Sequence, residues 1–251
     1  MFHLIVLAGI LAQGLGNPLE DANPEGRIYG GEAIPIEGAP YQASLQYYNQ
    51  HHCGATIASE TALITAAHCF TTVTPTTVRV GSAFANDPNT GSVHRIVSRV
   101  PHPQYDGTTY ENDIIILHVS PPIVIDNIKT VAAGLINYKV PEKTIVKVSG
   151  WGRYEGGSIA PQLRFVNTVI LNHEECQRTT GSTKKICAGE YGRDTCTGDS
   201  GGPLAIEDQD NNIYLVGVVS HGPECSVQTS NFVGKYTDVL SVRKWVVNNL
   251  S

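Results

Sequence analysis

Nothing restricts this chain more than its rhythm of short apolar runs broken by Gly, Pro and Asn. "YQASLQYY", "TALITAA", "TVRVGS", "HRIVSRV", "NDIIILHV", "TIVKVSGWG", "LRFVNTVIL" and "IYLVGVVSHG" carry strand character, rich in β-branched and aromatic residues. Many short strands predict a sandwich or a barrel. Helical spacing is expected only at the end, where "DVLSVRKWVVNNL" sets Val239, Val242, Val246 and Leu250 on one face of a single C-terminal helix. A chain of 251 residues has ample material for one large β domain or two smaller ones. Halves of about 28–129 and 130–251 each hold enough strands for a small barrel, with no repeat or linker between them.

The N-terminus, "MFHLIVLAGILAQGLGNPLEDANPEGR", has an apolar run from Leu4 to Ala12, well short of the ~20 residues that span a bilayer. Small residues follow, and either Ala12-Gln13-Gly14 or Gly14-Leu15-Gly16 offers a cleavage site. Residues 1–16 therefore read as a secretory signal, and residues 17–27 as a polar linker ahead of the folded unit. An extracellular mature protein is the expectation.

In an exported chain, six cysteines imply a disulfide framework, and the count alone leaves all fifteen pairings open. No Cys-x-x-Cys or His-x-x-x-His group is present, and His51, His52, His94, His102, His118 and His173 lack ligand spacing, so no metal is expected. Net charge is −6 with no run of Lys or Arg, which argues against nucleic acid or an anionic membrane as a partner.

One stretch, "RDTCTGDSGGPL" from Arg193 to Leu204, is unusually dense in charge and glycine for a chain that is 16% charged. Alone it could be a tight turn. A serine hydroxyl becomes a nucleophile near neutral pH only beside a base, and the base needs something to orient it. "TAAHC" supplies His68 after one strand run and "NDIIIL" supplies Asp113 before another. Each singly has an ordinary structural explanation. Together with "GDSGGP" they stand in the order His, Asp, Ser, separated by 45 and 87 residues, an order that differs from those of the α/β-hydrolases and subtilisins.

On these three motifs, the chain from Ile28 onward resembles the trypsin-like serine proteases of the chymotrypsin family, especially secreted insect members. The resemblance implies an all-β fold of two orthogonal six-stranded β-barrels, with the active site in the cleft between them, plus a C-terminal α-helix. It makes His68 the general base, Asp113 its orienting partner and Ser200 the nucleophile, with the N–H groups of Gly198 and Ser200 as the oxyanion hole. It pairs Cys53 with Cys69, Cys176 with Cys187, and Cys196 with Cys225. It sets Asp194 at the floor of the primary pocket, with Gly222 and Gly234 as its walls and Ser220 in the strand that meets substrate backbone. Arg27-Ile28 becomes an activation site, and Asp199 the carboxylate that receives the new Ile28 amine.

The function that follows is a secreted serine endopeptidase, made as a zymogen and cutting after Arg or Lys. No cofactor is implied. The expected partners are protein or peptide substrates, an activating protease and protein inhibitors, and the expected state is a monomer. Two alternatives differ in kind: a catalytically silent homologue acting as a binding protein, and a cascade protease with altered preference. The chain departs from the family pattern at His221, where tryptophan is usual, at Glu224 near the pocket mouth, and in the eight residues between Cys225 and Gly234 where six are more common. The loop "GSAFANDPNTGS" lacks the paired glutamates that bind calcium in vertebrate trypsins.

Overall fold

The structure, a computed structural model, describes residues 31–153, 159–189, 199–222 and 233–250. Its first half is a closed barrel of β2 (Gln42–Tyr47), β3 (Gln50–Ile57), β4 (Ala62–Thr65), β5 (Thr77–Val80), β6 (Ser92–Pro101) and β7 (Ile115–Ser120), in the order β2-β3-β4-β7-β6-β5. Closure satisfies the backbone groups that a sheet edge would leave open. Alternate residues such as Ala43, Leu45, Ala55, Ile57, Leu63, Val78 and Val80 are buried. The β2–β3 hairpin turns through Tyr48 (φ 48°) and Asn49 (φ 60°), the paired left-handed conformation that matches strand twist in a two-residue turn.

The second sheet contains β1 (Glu32–Ala33), β8 (Gly134–Leu135), β9 (Ile145–Gly150), β10 (Arg164–Val169), β11 (Lys185–Ala188), β12 (Pro203–Glu207), β13 (Ile213–His221) and β14 (Gly234–Asp238). Its order is β1-β10-β9-β12-β13-β14-β11, with β8 paired to β13. The ends from β10 to β11 meet: Ile170 bridges Ala188, and Leu171 N donates to Cys187 O at 2.9 Å. Six strands thus come round into a second barrel, giving the two-barrel chymotrypsin-like fold. β1, from the start of the chain, joins this second barrel rather than the first.

All eight quoted runs are strands. β1, β3, β8, β11, β12 and β14 fall outside them: β1 and β8 are only two residues long, and in the other four His, Cys, Lys, Gly and Pro residues dilute the apolar alternation. The C-terminal helix α2 (Val239–Asn249) buries Val239, Val242 and Val246, and its N-cap Asp238 accepts from Leu240 N. A helix that the apolar spacing missed, α1 (His173–Thr180), precedes β11. Its signals are polar: the Asn172 side chain caps Glu175 N, and Gly181 (φ 69°) ends it.

The barrels meet through backbone. A Cβ on Gly54 would stand 2.7 Å from Gly202 Cα, so only a glycine on β3 lets the segment after Ser200 approach. Ser149 Oγ donates to Gln42 Oε1 at 2.7 Å across the same seam.

Candidate active site

His68 lies in the 3-10 turn Ala67–Phe70 that follows β4, and the Cys53–Cys69 disulfide ties that turn to β3. Asp113 precedes β7 in the same barrel and is fully buried. His68 Nδ1 lies 2.7 Å from Asp113 Oδ2, and His68 N donates to Asp113 Oδ1 at 3.0 Å. One carboxylate therefore fixes both the ring and the backbone of the histidine. Among the described residues, no hydrogen bond engages the other ring nitrogen, Nε2.

The second barrel holds that aspartate. Ser220 Oγ on β13 donates to Asp113 Oδ2 at 2.6 Å, and Thr237 Oγ1 on β14 donates to the Asp113 carbonyl at 2.9 Å. Burial pushes the Asp113 carboxyl up, but the His68 ring, the Ser220 hydroxyl and the His68 N–H outweigh it and hold the group below the ordinary carboxylate range. The hydroxyl of Ser220 is thus committed to Asp113, so any contact it makes with a substrate falls to its main chain.

Ser200 begins a tight turn in which Gly202 N donates to Asp199 O at 2.8 Å. Its own carbonyl accepts from Gly54 N at 2.8 Å and contacts the Cys69 sulfur at 3.8 Å, which brings the turn against the histidine loop. Gly201 (φ 76°) is wedged where a Cβ would lie 2.1 Å from Thr65 Oγ1, and its N–H donates to Val219 O at 2.8 Å. Backbone conformation and space both require glycine at this position. Ser200 is thereby carried on a turn clamped between Thr65, three residues before His68, and Val219, next to Ser220.

Asp199 is fully buried. Gly152 N donates to its Oδ1 at 2.8 Å, and a Cβ on Gly152 would lie 2.3 Å from Oδ2. Gly222 and Gly234 face each other at the ends of β13 and β14, a Cβ on Gly222 coming 3.8 Å from Gly234 Cα. Disulfides join Cys53 to Cys69 and Cys176 to Cys187. Arg27, Ile28, Asp194, Cys196, Gly198, Glu224 and Cys225 lie outside the described residues. Among the described residues, the single ligand-type grouping is Cys53, His68 and Cys69, whose sulfurs are joined to one another.

Residues that the motifs did not point to complete the surroundings. Tyr110 stands edge-on to His68 at 5.7 Å between ring centroids, and lies 5.2 Å from His221. Burial first, then the charges of Lys185 and Lys235, push the half-buried His221 ring down to about 4. Thr237 and Lys185 carry no sequence signal beyond lying near a cysteine or glycine in a short polar strand.

A sequence profile of the family described as Trypsin matches residues 28–246. The chain belongs to the trypsin family. It is similar to trypsin delta of Drosophila melanogaster, at 34% identity with 99% of this chain and all of the relative covered. Trypsin alpha of the same fly is 35% identical over 99% of this chain and 98% of the relative, and trypsin zeta is 36% identical over 97% and 94%. With the trypsin domain spanning both barrels, the protein is a serine endopeptidase of the trypsin type. No helix among the described residues is long and apolar enough to cross a membrane.

Proposed function

We propose that the chain is the precursor of a secreted endopeptidase that cuts after Arg or Lys, with His68, Asp113 and Ser200 as its catalytic triad. The observation that carries this reading is the 2.7 Å contact between His68 Nδ1 and a buried, hydrogen-bonded Asp113, beside the Ser200 turn. His68 Nε2 takes the Ser200 proton as Oγ attacks the scissile carbonyl, and then delivers it to the leaving amine. Asp113 holds the ring tautomer and stabilises the imidazolium as it forms. Water repeats the sequence on the acyl-enzyme and frees Ser200. The negative oxygen of each tetrahedral intermediate is received by the N–H groups of Gly198 and Ser200.

Specificity rests on Asp194 at the pocket floor, with Gly222 and Gly234 leaving room for a long basic side chain. Control rests on Arg27-Ile28: removal of residues 1–16 as a signal and 17–27 as a propeptide frees an ammonium at Ile28, and the buried Asp199 carboxylate is its counter-charge. The third disulfide joins Cys196 to Cys225 and links two walls of the pocket.

The test is to treat the full chain with trypsin, expose it to an organophosphonate that labels active serines, and profile cleavage with a mixed peptide library. The expected results are label on Ser200 and cuts after Arg and Lys. An unlabelled Ser200 would assign the fold to binding rather than hydrolysis, and cuts after aromatic residues would remove the basic pocket.

A further inference from the structure

Lys185 is buried on β11, and its Nζ donates to Ser220 Oγ at 2.9 Å and to the Tyr110 carbonyl. Tyr110 itself sits at φ 58°, an uncommon backbone conformation for a bulky residue, two residues before Asn112 at φ 50°. Lys184 reaches the same loop, with Nζ 3.0 Å from Asn112 Oδ1. Two adjacent lysines of the second barrel therefore fasten the loop that ends in Asp113.

An ammonium has three donors and no lone pair. Ser220 Oγ consequently accepts from Lys185, and its one proton has two possible acceptors, Asp113 Oδ2 at 2.6 Å and His221 Nδ1 at 3.3 Å. The nearer, anionic oxygen is the stronger acceptor. Resting on the triad reading above, we propose that Lys185 is a positioning residue that holds Asp113 for catalysis, acting through the Ser220 hydroxyl.

Other charges acting on Lys185 come from Asp113 and Glu111 on the loop before β7 and from Lys235 on β14, while His221 on β13 feels the lysine's charge. A groove beside β11 adds Lys139, His173 and Asp238. Burial pushes the ammonium down to about 8, whereas His221 is held near 4. Once Lys185 loses its proton, Nζ gains a lone pair and competes for the Ser220 hydrogen.

A double-mutant cycle on the trypsin-treated full chain tests the link. Lys185→Met is expected to lower kcat roughly 2- to 10-fold with KM unchanged, the net worth of about one hydrogen bond. In a Ser220→Ala background most of that loss should disappear, because the route through the hydroxyl is already gone. An undiminished loss in that background overturns the proposal. A second measurement needs no variant: in the full chain, the downfield proton shared by His68 Nδ1 and Asp113 should shift near pH 8 as Lys185 titrates. A resonance constant through that range also overturns it. If Ser200 takes no phosphonate, the triad reading fails and this inference falls with it. A labelled Ser200 with an additive cycle sinks the inference alone.

Discussion

Gly150 has no side chain because the Asp199 carboxylate occupies the space: a Cβ there would lie 2.1 Å from Oδ1. Both groups are on the second barrel, Gly150 at the end of β9 and Asp199 one residue before Ser200. Gly150→Ala must therefore displace either the β9 backbone or the carboxylate. Forcing atoms into a packed interior costs about 1 to 3 kcal/mol. The expected outcome is a lower Tm together with slower phosphonate labelling of Ser200. Unchanged labelling would mean that β9 moves and Asp199 stays.

Thr237 is the second tether of Asp113, through a hydroxyl that no other donor replaces at that carbonyl among the described hydrogen bonds. Thr237→Val keeps the shape and leaves a buried oxygen unpaired, at about 1 to 3 kcal/mol. Stability measured by denaturant should fall by that amount, with a modest loss of kcat. Asp113→Asn should weigh more heavily on catalysis: besides a loss of stability from setting an amide against the donors His68 and Ser220, it should lower kcat about 10^4-fold, since it spoils the histidine tautomer.

The eight apolar strands and the His, Asp, Ser order were legible because alternation and motif spacing are local properties. What stayed hidden is instructive. α1 is built on a cap, two glutamates and a closing glycine, with one buried residue, Cys176, so apolar spacing has nothing to register. Lys184 and Lys185 are adjacent and identical in type, yet one reaches Asn112 and the other is buried against Ser220. Only the pairing of β11 with β14, Lys185 opposite Thr237, turns the second lysine toward the site. Gly54 reads as a weak point in a strand until Gly202 is seen to pack against it.

The Cys53–Cys69 bridge closes a span of 16 residues, for which chain entropy suggests about 3 kcal/mol. Replacing both cysteines with alanine should lower stability by an amount of that order. It should also cut kcat more than removal of Cys176–Cys187 does, because only the former bridge carries the histidine turn. Equal kcat losses from the two pairs would separate the bridge from the site.

Lys185 supplies a pH signature of stability. Its value falls on folding from 10.5 to about 8, so between these limits the unfolded chain binds more protons than the folded one. Stability from this group is therefore fully present above about 10.5 and is lost as pH falls through about 8. The shift corresponds to roughly 3 kcal/mol. Tm measured relative to Lys185→Met should rise across that window and level off outside it; a flat difference would show the ammonium to be as well solvated folded as unfolded.

Asp194→Ser tests the pocket. Truncating one partner of a desolvated charge pair costs about 2 to 5 kcal/mol, so kcat/KM for Arg and Lys substrates should drop roughly 30-fold to several thousand-fold. Equal losses on Phe and Leu substrates would show that the aspartate supports the loop and does not read charge.

The hold that β11, β13 and β14 have on Asp113 also bears on how the chain is made. His68 and Asp113 belong to the barrel that leaves the ribosome first, but Thr237 lies in the last strand before the C-terminal helix. A nascent or truncated copy that stops short of β14 thus has a histidine and an aspartate without the Thr237 tether that holds the aspartate. The tethering of Asp113 is therefore completed only when the last strand is in place, a constraint set by strand order and separate from the proposed control at Arg27-Ile28.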